Sequence, residues 1–168
     1  MANATYANKL IDTPKRAVIA LHTEFDGSGQ ESNVLKIDAQ MLANAANANN
    51  MVMSANVHIK PVYRTTVKGI RYNIGLSSGH VKIHWDGQGS NSNVIATLAA
   101  KTQGTLLGDS FDIILDNQNA NVAFYNPATS NSNGDILITT LGAQANDSYS
   151  IWIDLRKDPR DYVLGIQS

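Results

Sequence analysis

Three features of this sequence predict an all-β fold. Short runs alternate apolar and polar side chains with a period of two, Gly, Asn, Asp and Ser clusters separate those runs, and no strand–helix–strand rhythm intervenes. The clearest run places Tyr149, Ile151, Ile153 and Leu155 on one side, with Ser148, Ser150, Trp152, Asp154 and Arg156 on the other. β-branched and aromatic residues fill it, as a pleated, half-buried surface prefers. A strand this apolar on one face belongs near the middle of a sheet.

Residues 1–15 read as an N-terminal arm, polar and without a strong period. Residues 16–168 read as a single β-domain. Residues 16–25 form its first strand, with Ala17, Ile19, Leu21, Thr23 and Phe25 on one face. Asp26-Gly27-Ser28-Gly29 is a turn, since glycine permits positive φ and the Asp carboxylate can accept from the backbone that follows. Residues 34–37 are a short strand. Asp38 then reads as the N-cap of the one short helix, with Met41, Leu42, Ala45 and Ala46 at helical spacing and Asn49-Asn50 as its stop. Residues 57–65 alternate, although Pro61 argues for an edge or a break. The parity of the apolar residues then changes from odd (Val67) to even (Ile70, Ile74), and Gly69 at the change marks a β-bulge.

Residues 80–85 are a second clear strand, with Val81, Ile83 and Trp85 on one face. Further strands are expected at 94–98, 111–115, 122–125 and 136–140, and Asn133-Gly134 suits a type I′ turn. Roughly nine or ten short strands and one short helix make an antiparallel β-sandwich of the jelly-roll kind, with a closed barrel as the structural alternative.

Composition narrows the function. The chain has 168 residues, enough for one domain of ordinary size. It is 43% hydrophobic and only 16% charged, so Asn, Ser, Thr and Gln must cover much of its surface. A formal net charge of −1 argues against nucleic acid as the main partner. Without cysteine there is neither a disulfide nor thiolate chemistry. The start lacks a basic, apolar leader, and no apolar run approaches the roughly 20 residues of a membrane span. Synthesis in the cytoplasm and no membrane partner are therefore expected.

Each chemical motif has a plainer reading. Gly75-Leu76-Ser77-Ser78-Gly79 matches the G-x-S-x-G nucleophile elbow, which needs a strand, a strained turn and a helix. Here a strand follows, so a turn between strands is expected. His80 and His84 would lie roughly 13 Å apart along a strand at about 3.3 Å per residue, too far to share one ion. With Lys82 between them, they read as solvent-facing. His22 and His58 have no acidic or histidine partner in sequence that suggests a site. The run Asp116–Asn121 lacks the central glycine and final acid of a calcium loop. The only glutamates are Glu24 and Glu31, and nothing selects a carboxylate pair for glycoside hydrolysis. No catalytic residue, cofactor or metal site is assigned, and the expected role is non-enzymatic.

Several stretches carry a resemblance. KLIDTPKRAV (9–18), VKIHWD (81–86), GDILI (134–138) and AQANDSYSIWIDLRKDPRDY (143–162) together resemble small virion structural proteins of tailed bacteriophages. The resemblance implies a particle component without enzymatic activity, located in the virion. Its first expectation is a capsid decoration or cement protein bound to the major capsid protein or to other virion proteins. A neck or tail component is the alternative within that class. A carbohydrate- or receptor-binding jelly-roll module, with Trp152 and the tyrosines as a stacking surface, is the alternative outside it.

Two attachment regions are expected. In the arm, Tyr6, Leu10 and Ile11 can anchor, and Lys9, Lys15 and Arg16 supply local positive charge. Near the other end, Arg156 and Arg160 alternate with acids, and Tyr162 begins an apolar stretch. A homotrimer on the threefold positions of a capsid lattice would suit such contacts.

Overall fold

The structure is a computed structural model and describes residues 3–42, 65–86, 94–107 and 134–157. These residues form nine strands: β1 (Ala4–Asp12), β2 (Arg16–Glu24), β3 (Val34–Ile37), β4 (Thr65–Ile74), β5 (His80–Trp85), β6 (Val94–Ala99), β7 (Thr102–Leu107), β8 (Ile136–Leu141) and β9 (Ser148–Lys157). They make two antiparallel sheets. The five-stranded sheet runs β1-β2-β9-β4-β7 and the four-stranded sheet β3-β8-β5-β6. Four pairs nest within one another: β2 with β9, β3 with β8, β4 with β7, and β5 with β6.

The alternation read from β9 is observed. Tyr149, Ile151, Ile153 and Leu155 are buried, and β9 lies at the centre of the five-stranded sheet between β2 and β4. One hydrophobic cluster draws Ile19 and Leu21 from β2, Ile70 and Ile74 from β4, and Ile151 and Ile153 from β9. The other sheet contributes Val81, Ile83 and Trp85 from β5, Leu98 from β6, and Ile136 and Ile138 from β8 to the same cluster. Each such side chain contributes about 1.5–3 kcal/mol on burial. The bulge is also where the parity change put it: the β4–β9 register shifts between Val67 and Gly69. Asp26 Oδ1 accepts from Ser28 N at 2.8 Å, as its turn requires.

Several expectations need correction. The segment read as an arm contains β1, which pairs with β2 from Ala4 to Asp12 around a bulge at Leu10. Its side chains are exposed or half-exposed throughout, so no apolar period announces it. Strand β7 was also unexpected, because Thr-Gln-Gly-Thr-Leu-Leu does not alternate apolar residue types. It holds to β4 through register pairs from Gly69↔Leu107 to Ile74↔Thr102. Where the short helix was expected, a single 3-10 turn (Ala39–Met41) is described, with Met41 N donating to Asp38 O at 3.1 Å. The rest of that helix and the strands expected at 57–64, 111–115 and 122–125 lie outside the described residues.

His84 does not face solvent. It is buried, its Nε2 lies 3.2 Å from Thr139 Oγ1, and burial followed by the Lys82 charge lowers its pKa, leaving a neutral ring at pH 7. The Gly75–Gly79 segment joins β4 to β5, as its turn reading requires.

Candidate functional site

Among the described residues, strand β1 is the edge of the five-stranded sheet, with β2 on one side only. It carries three of the large apolar side chains that remain exposed: Tyr6 at 62%, Leu10 at 54% and Ile11 at 38%. An edge strand offers unpaired main-chain donors and acceptors to another chain. Most native edges are blunted by charge, and Lys9 is the single cation on this one. Lys9 is held back by the chain itself, its Nζ lying 3.1 Å from Met41 O and 3.2 Å from Asp12 Oδ2.

The sheet register joins this edge to the C-terminal charges. Arg16, at the start of β2, is directly opposite Arg156 on β9, and Lys15 is exposed in the turn between β1 and β2. Two cations side by side need an anion, and Asp154 supplies it. Arg16 Nε and Nη2 donate to its two carboxylate oxygens at 2.9 and 2.8 Å. Those hydrogen bonds, with the Asp154 charge, raise the Arg16 pKa above its ordinary value. Next in β9, Lys157 is buried rather than solvated: its Nζ binds Asp12 and donates to Thr13 O at 2.8 Å. The corner of β1, β2 and β9 is thus tied down by side chains from both ends of the chain. It brings Ile11, Lys15, Arg16 and Arg156 together, while Tyr6, Lys9 and Leu10 continue along the edge. Arg160 and Tyr162 lie outside the described residues.

Behind β1 lies a buried polar ring that sequence reasoning missed. Lys36 Nζ pairs with Glu31 Oε1 and donates to Thr23 Oγ1 at 3.3 Å. Thr23 Oγ1 donates to Tyr149 Oη at 3.0 Å, and Tyr149 Oη donates to Glu31 Oε2 at 2.7 Å. The ring closes on itself, and Thr5 of β1 reaches it through Thr23 Oγ1 at 3.2 Å. Burial, reinforced by the Glu31 charge, pushes the Tyr149 hydroxyl far above its ordinary pKa, so it keeps the proton it donates. All four side chains are buried. The ring ties β3 and its preceding loop in one sheet to β2 and β9 in the other. The available signal was modest: Thr23 and Tyr149 both stand on predicted inward faces, where hydroxyls need partners.

Other candidates separate. Ser77 Oγ donates to Asp147 Oδ1 at 2.5 Å, a turn-bracing bond in the G-x-S-x-G segment. His22 does have an acidic partner: its Nε2 lies 3.2 Å from Glu24 Oε1, its Nδ1 lies 2.9 Å from Ser150 Oγ, and its ring stacks on Tyr6. The two glutamates do not flank a cleft, since Glu24 is exposed while Glu31 is enclosed by the ring. Among the described residues, no group of three or more His, Asp or Glu could hold a metal ion, and no helix is long and apolar enough to cross a membrane. The run Asp116–Asn121 and His58 lie outside the described residues. No protein-family model, curated protein or solved structure matches the chain.

Proposed function

We propose that this chain is a non-enzymatic structural protein of a tailed-bacteriophage particle, a decoration or cement protein that docks on the shell of major capsid protein. The observation that carries the docking is β1, an edge strand with Tyr6, Leu10 and Ile11 exposed and a basic corner beside it. A partner strand could add to this edge through main-chain hydrogen bonds, while those three side chains supply the apolar contact.

The topology supports the same reading. Strands β2 to β9 form four nested antiparallel pairs divided between two sheets, with a core drawn from both. That order is what a long hairpin gives when rolled into a jelly-roll sandwich, an architecture used by viral capsid and lectin domains. Fold by itself does not choose a function; the exposed edge and the resemblance of the terminal stretches favour the virion. A trimer formed around the Arg16–Arg156 corner would place three edges around a threefold position of the shell.

Replacing Tyr6, Leu10 and Ile11 together by Ser tests the docking. These side chains are exposed, so the variant should unfold within about 1 kcal/mol of the parent. Its binding to particles stripped of this protein should fall at least tenfold in a co-sedimentation assay. Undiminished binding would remove β1 from the attachment surface. Binding to purified tails and not to heads would place the protein in the neck or tail.

A further inference from the structure

A groove of about 700 Å³ lies toward the β7 edge of the five-stranded sheet, away from β1. The register explains what lines it. Thr105, Arg71 and Trp152 stand in one cross-strand row, and Gln103 and Asn73 in the next. All five are exposed, on the face opposite the buried Ile70, Ile74, Ile151 and Ile153. Tyr72 turns inward against the core and lies across Gly104, where a Cβ would stand 3.0 Å from its hydroxyl. Trp152 keeps 36% of its surface exposed, and Ala20, directly opposite it on β2, is too small to cover the indole.

From this groove we infer a binding site for a glycan that bears a carboxylate, such as a uronic or sialic acid unit. Each feature matches one part of that ligand. An open indole face accepts the C–H face of a pyranose ring. The Asn73 and Gln103 amides each offer donors and an acceptor to ring hydroxyls. The Arg71 guanidinium has no ion pair among the described residues, and its planar fork fits a carboxylate through two hydrogen bonds. Among the described residues the lining holds this one cation and no acid, so its charge favours an anionic sugar over a neutral one. The volume lies within the range of about 300–1,000 Å³ usual for small-ligand sites. The site is independent of docking through β1.

Titration of the intact protein with trigalacturonate and 3′-sialyllactose, beside neutral maltotriose and lactose, tests the inference by calorimetry and indole emission. Trp85 is fully buried, so an emission change reports Trp152. At least one acidic probe should bind tenfold or more tightly than the neutral ones. Trp152→Ala and Arg71→Gln should each weaken that binding at least tenfold while the urea midpoint of Arg71→Gln stays at the parent value. If Trp152→Ala misfolds, Gln103→Ala replaces it, with a threefold or greater loss expected. The inference fails if neither acidic probe binds, if a neutral probe binds as tightly, or if binding survives Arg71→Gln. Concentration-dependent self-association that Arg71→Gln abolishes would assign the groove to a protein contact instead and also overturn it.

Discussion

Glu31→Gln is expected to lower the unfolding free energy by about 3–5 kcal/mol, because removing one partner of a buried ion pair strands the other charge in the interior. Here the stranded group is Lys36, whose side chain is 2% exposed. The loss does not mean that the pair itself contributes that much, since most of the gain from its attraction offsets the desolvation of two charges. The informative comparison is therefore a second variant. Glu31→Leu with Lys36→Met and Tyr149→Phe removes both charges and the hydroxyl that depends on Glu31. It should recover most of the loss, to within about 2 kcal/mol of the parent in urea unfolding. A Glu31→Gln protein within about 1 kcal/mol of the parent would show that water reaches Lys36 and that the ring does not join the sheets as described.

Gly79→Ala should be nearly as damaging, at more than about 3 kcal/mol, for a steric reason. Gly79 has φ +83°, and a Cβ there would stand 1.8 Å from the carbonyl oxygen of Leu141. The obstacle is backbone, so no rotamer change relieves it. Gly142, also at φ +83°, faces the same contact from the other side, with a Cβ 2.9 Å from Ser78 O. The β4–β5 turn and the segment after β8 therefore fit together only as glycines. Ser78→Ala beside them removes a single exposed hydrogen bond at 3.3 Å and should cost under about 1 kcal/mol. Chemical denaturation of the pair distinguishes the two effects. Equal stability for both variants would mean that the turns are packed less closely than the backbone here shows.

The G-x-S-x-G pattern around Gly79 shows how far sequence reasoning reached. A turn between strands was legible from the alternation that follows it, but the reason for its second glycine was not, because Leu141 comes from a distant strand. The same division holds elsewhere. Ile151, Ile153 and the parity change at Gly69 were legible because one-sided burial writes a period of two into the chain. Strand β1 leaves no such trace, being exposed on both faces, and β7 mixes Thr, Gln and Gly; the two are the edges of their sheet among the described residues. Tyr6, Leu10 and Ile11 were legible as apolar side chains in a polar segment but not as parts of a strand. Arg16 and Arg156 were each legible as charges, but only the β2–β9 register makes them neighbours. The Glu31–Lys36–Thr23–Tyr149 ring and the Arg71–Trp152 groove depend on strands brought together by folding, which no local pattern encodes.

Cryo-electron microscopy of purified phage particles tests the virion reading most directly. The prediction is density for this two-sheet fold on the outer shell at a regular lattice position, with β1 and the Arg16–Arg156 corner against the major capsid protein or a second copy of this chain. Particles that are complete and infectious without any copy of this chain, while the chain accumulates free in the lysate, would contradict it.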